Sequence, residues 1–309
     1  MRTAFKYVSL AAVAVAAVLF FLWPVSREKI ASDKLTVVAT LFPTFDFARQ
    51  VGGDYADVTL LMPPGVDAHS YEPTASDIMK INSSDIFIFT GQYMEPWAEQ
   101  MISASDIVSG RVVDASSGIS LDQTTDGGDG DPGETYDPHI WTDPVQAETM
   151  VATIADTFCA ADPAHADGYR ANAAVYTQKL AALDAEFQNI VTNGKRTEMI
   201  FGGRFALHYF VKRYGLTAES AYAGCAEDSE PSPKVVADLI DEARAKKIPV
   251  IYYGELESPS MAETIASEAA AVTLEFDSCH NITKAEFDAG ATYLSVMERN
   301  AVNLQKGLD

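Results

Sequence analysis

Short apolar runs alternate along the chain with stretches of helical periodicity. The runs have the β-branched and aromatic composition of strands. They cover residues 35–41, 58–62, 86–90, 112–114, 198–201, 249–253 and 272–276. Strands that alternate with helices in this way form parallel sheets with helices on both faces. The pattern therefore predicts an α/β protein.

A single long helix is predicted between the fourth and fifth strands. It begins after Asp162–Pro163, ends near Asn193–Gly194, and carries apolar or small residues at a spacing of three and four: Tyr169, Ala173, Tyr176, Leu180, Leu183, Phe187 and Ile190. Roughly thirty helical residues span about 45 Å, which is longer than a small domain. We therefore expect two lobes, each a small parallel sheet flanked by helices, joined by one rigid helix. The predicted boundaries are a signal or anchor at 1–33, an N-terminal lobe at 34–162, the helix at 163–194 and a C-terminal lobe at 195–309.

The N-terminal residues have the pattern of an export segment. Arg2 and Lys6 precede an apolar run from Tyr7 to Val25, which is the order of a secretion signal. The run is roughly long enough to span a bilayer. It contains no clear cleavage site, and no cysteine follows it to accept a lipid. We favour a retained anchor over a cleaved signal. In either case the chain after about Lys34 is expected at the extracytoplasmic face of the cell membrane.

The charge of the chain excludes some partners. Its 309 residues include 44 acidic and 22 basic side chains, a formal net charge of -22. Such a surface repels nucleic acid and anionic lipid and attracts cations. Many acidic residues lie between Asp122 and Asp137 among glycines and threonines, which predicts a solvated loop. A weak cation-gathering arm is the alternative interpretation of this acidic segment.

Three of the five histidines lie in loops that contain turn-forming residues. His69 follows the strand at 58–62, His139 lies in a proline-flanked loop, and His280 follows Asp277 after the strand at 272–276. Ligands bind at the carboxyl ends of parallel strands, and a cleft between lobes is a common binding position. Two facing lobes would bring His69 and His139 against Asp277 and His280.

These four side chains favour a transition metal that is carried and not used in catalysis. Imidazole and carboxylate ligands suit Zn²⁺, and manganese or iron becomes possible as oxygen ligands increase. Four protein ligands would leave no open position for a reactive water. Asp67 and Asp143 are expected to orient the histidines. The chain has no HExxH or GxSxG pattern, so we predict a binding protein and not a zinc hydrolase.

Two of these loops resemble those of a known family. Residues 64–73, PGVDAHSYEP, and 137–144, DPHIWTDP, resemble the first two ligand loops of the ZnuA- and TroA-like metal-binding subunits of ABC importers for zinc and manganese. Weaker likeness continues through residues 209–216, 230–232 and 276–278. The resemblance implies a two-lobe fold with a rigid connecting helix. It also implies a monomer that captures Zn²⁺, or less favourably Mn²⁺, and delivers it to an ABC permease. A surface adhesion or scaffold protein that retains the fold is the alternative.

The chain departs from the family pattern at the third ligand. Arg204 stands at the usual position, and arginine cannot bind a cation. We expect His280 to replace that ligand. The alternatives are that His208 replaces it or that neither histidine does.

The cysteines have their own expected roles. We expect a disulfide between Cys225 and Cys279, because both lie in loops outside the cytoplasm. Free thiols or direct ligation of the metal by cysteine are the alternatives. Cys159 is expected to be a small buried apolar residue.

Overall fold

The computed structural model describes residues 34–66, 71–123, 136–222 and 231–309. The predicted N-terminal signal or anchor lies outside the described residues. So do Asp67, His69, Cys225 and most of the acidic segment.

A parallel four-stranded sheet forms the first half of the described chain. The elements in order are β1 (Leu35–Ala39), α1 (Phe42–Gly52), β2 (Ala56–Leu60), α2 (Ala75–Ser83), β3 (Ile86–Phe89), α3 (Ala98–Ala104), β4 (Val112–Asp114) and α4 (Pro144–Ala161). The strand order is β2-β1-β3-β4. In the register, Val37 pairs with Val58 on one side and with Ile86 on the other. All four residues of β3 are buried, as expected for a central parallel strand covered on both faces.

The second half repeats this plan. Its elements are α5 (Ala166–Asn193), β5 (Glu198–Phe201), α6 (His208–Tyr214), β6 (Thr217–Ser220), α7 (Pro233–Lys246), β7 (Val250–Tyr253), α8 (Ser260–Ala269), β8 (Val272–Glu275), α9 (Lys284–Asp288) and α10 (Tyr293–Leu308). The strands are parallel in the order β6-β5-β7-β8. The predicted fold class, two parallel sheets flanked by helices with one long helix between them, is confirmed. Strand β6 was not anticipated.

Helix α5 connects the two sheets. Its 28 residues span about 42 Å. Near its start, the Tyr169 hydroxyl donates to the carbonyl of Tyr55, just before β2, at 3.3 Å. Just past its end, the Lys195 amide donates to the Leu308 carbonyl at 2.8 Å. Six of the seven predicted core positions are buried, and Ile190 is half-buried.

Residues 34–309 form one compact unit, and its largest apolar cluster includes side chains from both sheets. The lobe boundaries near residues 162 and 195 therefore stay a prediction. Within the four described ranges, no helix has the length and apolar content needed to cross a bilayer.

Hydrogen bonds tie the two halves together close to the predicted site. The Trp141 indole donates to the carbonyl of Ser278 at 2.7 Å, and the Tyr293 hydroxyl donates to the carbonyl of Trp141 at 2.6 Å. The Tyr293 amide, at the start of α10, donates to the Asp46 carboxylate in α1 at 3.0 Å. All four side chains are buried or nearly so. These bonds fix the loop that contains His139 against the loop that contains His280.

Candidate metal site

His139 lies in a loop that is held rigidly before helix α4. Pro138 restricts the backbone before it, and Ile140–Thr142 form a short 3₁₀ turn after it. The Asp143 side chain then caps α4 by accepting from the Val145 amide at 2.8 Å. The His139 side chain is completely buried. Its position is therefore set by the local backbone and does not depend on solvent.

The Asp137 carboxylate orients the His139 ring. Its Oδ1 atom lies 2.9 Å from His139 Nδ1 and accepts from the His139 amide at 2.8 Å. Burial raises the pKa of Asp137, but attraction to a charged His139 and these hydrogen bonds outweigh burial, so the pKa lies below its usual value. A carboxylate at Nδ1 favours the tautomer that carries the proton on Nδ1, in which Nε2 is the metal-binding nitrogen.

His280 is held in a similar way after strand β8. Its Nδ1 atom contacts the Ser278 hydroxyl and lies 3.6 Å from the Glu255 carboxylate. Glu255 also accepts from the amides of Ser278 at 2.7 Å and His280 at 3.0 Å. Burial raises the pKa of Glu255, but its bonds to His280 and Ser278 outweigh burial and hold the pKa below its usual value. The intervening Cys279 has φ of 63°, which turns His280 towards the first half of the chain.

The structure brings the two imidazoles together. The ring centroids of His139 and His280 are 4.6 Å apart, with the planes at 75°. The Trp141 ring lies against both imidazoles, with its centroid 5.5 Å from that of His139 and 5.1 Å from that of His280. The expectation that the two loops meet is met for this pair. Both rings have a polar partner at Nδ1, which is the usual arrangement of histidines that bind a metal through Nε2.

Asp277 points towards a different partner. Its carboxylate accepts from the Arg299 guanidinium, which also lies 3.0 Å from Glu286. Burial first, then the charges of Glu255 and Glu275, raise the pKa of Asp277 to about 8, against the opposing effect of Arg299. The role of Asp277 as a metal ligand stays a prediction.

The described start of the His69 loop is attached beside His280. The Asn281 side-chain amide donates to the carbonyls of Pro63 and Val66, both at 2.8 Å, and the Gly65 amide donates to the Ile282 carbonyl at 2.8 Å. His69 itself lies outside the described residues. In the part of the chain that the structure describes, no group of three or more His, Cys, Asp or Glu side chains is placed to hold a metal ion.

The two residues near the family's third ligand are engaged elsewhere. His208 Nε2 lies 3.1 Å from the Asp122 carboxylate, which Lys212 also contacts. The Arg204 amide donates to Glu257 at 3.1 Å. The alternative ligand His208 thus bonds Asp122, while the ring of His280 packs against His139.

The expected orienting residues are partly wrong. Asp143 caps α4 and lies 3.3 Å from Arg213, so it does not orient His139. The carboxylates of Asp137 and Glu255 orient the two histidines instead. A carboxylate two residues before a histidine was a usable signal for Asp137. The contact of Glu255 depends on the packing of two strand ends and leaves no sequence signal.

The expected disulfide is not supported. Cys279 has a free, buried thiol in the core, and Cys225 lies outside the described residues. Burial raises the pKa of the Cys279 thiol well above its usual value, which also disfavours a thiolate metal ligand. Cys159 is buried as expected, and its thiol lies 3.4 Å from the Ala166 carbonyl.

Comparisons with known proteins agree with the fold. The model of the ZnuA family, described as zinc-uptake complex component A, periplasmic, matches residues 37–307. The chain is 33% identical over 296 residues to the zinc-binding lipoprotein AdcA of Streptococcus pneumoniae, covering 94% of this chain and 59% of AdcA. It thus spans less than two thirds of that relative. The Zn(II)-bound ZnuA-like domain of AdcA superposes with a TM-score of 0.76 at 32% identity, covering 89% of this chain and 99% of the domain.

Two further relatives extend the comparison. The chain is 33% identical over 286 residues to the high-affinity zinc uptake system protein ZnuA of Bacillus subtilis, covering 89% of this chain and 88% of the relative. The laminin-binding protein Lmb of Streptococcus agalactiae, a bifunctional protein with adhesin and metal transporting activity, superposes with a TM-score of 0.77 at 25% identity, covering 89% of this chain and all of Lmb (100%). The matched family is described as a component of a zinc-uptake complex, which confirms the expectation of a binding protein and not an enzyme. The chain belongs to the ZnuA family of zinc-uptake proteins.

Proposed function

We propose that the chain captures a zinc ion outside the cytoplasm and delivers it to an ABC permease. The observation that carries this proposal is the buried pair His139 and His280, in which each ring has a partner at Nδ1. A zinc-ligating histidine usually has a hydrogen-bond partner at its other ring nitrogen, because that bond fixes the ring and raises the basicity of the ligating nitrogen. Family membership supports the same function.

The proposed ligands are His69, His139, His280 and Asp277. A set with three imidazoles favours Zn²⁺ over Mn²⁺, since manganese prefers oxygen ligands. Four protein ligands close the tetrahedral shell, as in zinc sites that do no chemistry. Asp277 would have to share its carboxylate between the metal and Arg299. Its ligation is therefore expected to contribute less to affinity than that of the histidines.

His280 takes the role that Arg204 cannot fill. Its ring packs against that of His139, whereas His208 lies at Asp122. A cation beside the imidazole pair would be attracted by the buried carboxylates of Asp137 and Glu255 without touching them. These charges offset part of the cost of removing Zn²⁺ from water.

We propose that the protein acts at the extracytoplasmic face of the membrane as a monomer. The name of the S. pneumoniae relative, a lipoprotein, supports this location. For this chain the proposed tether is the apolar segment in residues 1–33, or the protein is released after signal cleavage. The proposed partners are the metal ion and the permease.

Calorimetric titration of the full chain in mild detergent tests the metal proposal. We expect one zinc ion to bind tightly and manganese to bind more weakly. His139→Ala and His280→Ala are each expected to weaken zinc binding by at least about a hundredfold, because each removes a direct ligand. His165→Ala is the matched control, since that ring stacks on Tyr55 at 4.7 Å in the first half of the chain. Wild-type protein that binds no zinc would refute the proposal.

The likeness to Lmb favours adhesion as a second candidate function. A bacterial strain that carries the His139→Ala variant separates the two functions. Loss of growth in zinc-poor medium with unchanged surface adhesion would assign the metal site to uptake alone. Loss of adhesion as well would make the metal-loaded site part of the adhesive function.

A further inference from the structure

We propose that Tyr209, on helix α6, is a positioning residue that fixes the metal-binding orientation of His139 by acting through Asp137. This inference rests on the proposed zinc-binding function.

Asp137 connects Tyr209 to the His139 ring, because its main-chain carbonyl bonds Tyr209 and its carboxylate bonds His139. The Tyr209 hydroxyl accepts from the Asp122 amide at 2.9 Å and donates to the Asp137 carbonyl at 2.8 Å. Asp137 Oδ1 then lies 2.9 Å from His139 Nδ1. The Tyr209 hydroxyl therefore holds the main chain of Asp137, the residue whose carboxylate orients the His139 ring.

Asp137 has particular need of such an anchor. It lies directly after the acidic segment, where the chain has few apolar side chains to hold it. On the other side of that segment, Asp122 accepts from the Asp137 amide at 2.9 Å, and residues Gln123 and Tyr136 form an antiparallel bridge. The Tyr209 hydroxyl thus bonds the residues on both sides of the acidic segment, Asp122 and Asp137.

Helix α6 provides a rigid base for the phenol. Tyr209 is only 4% exposed, and its neighbour Phe210 is fully buried against Phe187 of α5. From the same helix, His208 and Lys212 bond the Asp122 carboxylate. The second half of the chain thus holds Asp137 in the first half. Without the Tyr209 hydroxyl, the Asp137 carbonyl would lose its donor. The main chain that positions the Asp137 carboxylate would then lose one of its fixed points.

A merely structural tyrosine is available as a matched comparison. Tyr252 is also buried, and its hydroxyl also donates to a backbone carbonyl, that of Asn303 at 3.2 Å. That bond connects β7 to α10 and does not involve Asp137 or His139. Both Tyr→Phe changes remove one buried hydroxyl and keep the ring. Only Tyr209→Phe should change the metal site.

The test measures zinc affinity by competition with a chelator, and the visible spectrum of bound Co²⁺, for the full chain. Tyr209→Phe is expected to weaken zinc binding about tenfold, which is the lower end of the range for residues that orient a metal ligand without touching the metal. It is also expected to alter the Co²⁺ spectrum. Tyr252→Phe is expected to change neither. In an Asp137→Ala background, Tyr209→Phe should add little, because residues that act through one another are non-additive.

Two results would overturn the inference: wild-type zinc affinity and Co²⁺ spectrum in Tyr209→Phe, or an equal further loss of affinity in the Asp137→Ala background. If the wild type binds zinc while Tyr209→Phe behaves normally, only this inference fails. If the wild type binds no zinc, the proposed function fails and this inference fails with it.

Discussion

Two aspartates flank His139 in the sequence, and the structure assigns them different roles. Asp137 orients the ring, whereas Asp143 caps helix α4. Replacing each with alanine should therefore affect different quantities. Asp137→Ala should weaken zinc binding, and Asp143→Ala should lower the free energy of unfolding without changing zinc affinity.

The magnitudes follow from the contacts. Asp137 Oδ1 accepts from the His139 amide and bonds the His139 ring nitrogen Nδ1. The side chains of Asp137 and His139 are both buried. Loss of an orienting carboxylate typically costs ten- to a hundredfold in metal affinity, or about 1.4–2.7 kcal/mol. Because both donors lose their acceptor, we expect the upper end of this range. Loss of the Asp143 cap should cost about 1 kcal/mol of stability.

Two measurements test this prediction. Competition with a chelator gives the zinc affinity, and urea denaturation of the metal-free protein gives the free energy of unfolding. Asp137→Asn is a useful intermediate, because its amide oxygen can still accept both hydrogen bonds but carries no negative charge, and about a tenfold loss of zinc affinity is expected. The reasoning is refuted if Asp143→Ala weakens zinc binding as much as Asp137→Ala does. It is also refuted if Asp137→Ala binds zinc as tightly as the wild type.

Three other predictions concern stability and the thiol. Burial raises the pKa of Glu95 from 4.5 to about 7. Between these two pH values the folded state holds a proton that the unfolded state has lost. The free energy of unfolding should therefore fall by about 3 kcal/mol as the pH rises from below 4.5 to above 7. Glu95→Gln should flatten the dependence of urea stability on pH, and an unchanged slope would contradict this. Trp141→Phe removes the donor to the buried Ser278 carbonyl and should destabilise the protein by about 1–3 kcal/mol in urea denaturation, whereas a change near zero would show that this bond is unimportant. Cys279 should resist alkylation in the native protein and react in urea without reductant; a reaction that requires reductant would reveal a disulfide.

Much of the fold could be predicted because its signals are local. The apolar face of α5 repeats every three to four residues, and central strands such as β3 are continuous apolar runs. Strand β6 was missed because Thr217–Ser220 is a polar strand at the edge of its sheet, with no residue fully buried. Its position is set by pairing with β5, which a local pattern cannot show.

The site could be predicted only in part for the same reason. The rule that loops meet at the carboxyl ends of parallel strands brought His139 and His280 together. Asp143 lies close to His139 in the sequence, but its carboxylate caps the start of helix α4 instead. The expected bond between Cys225 and Cys279 assumed that Cys279 lies in an open loop, whereas the thiol is packed in the core. Contacts between distant segments, such as Glu255 with His280, depend on tertiary packing.

X-ray absorption at the zinc K-edge of the loaded protein tests the central claim most directly, because it counts the imidazole ligands. The account predicts three imidazoles and one oxygen in the wild type, and two imidazoles in His280→Ala. The same number of imidazoles in both proteins would show that His280 is not a ligand. A sulfur neighbour would show that cysteine binds the metal, and either result would contradict the proposed site.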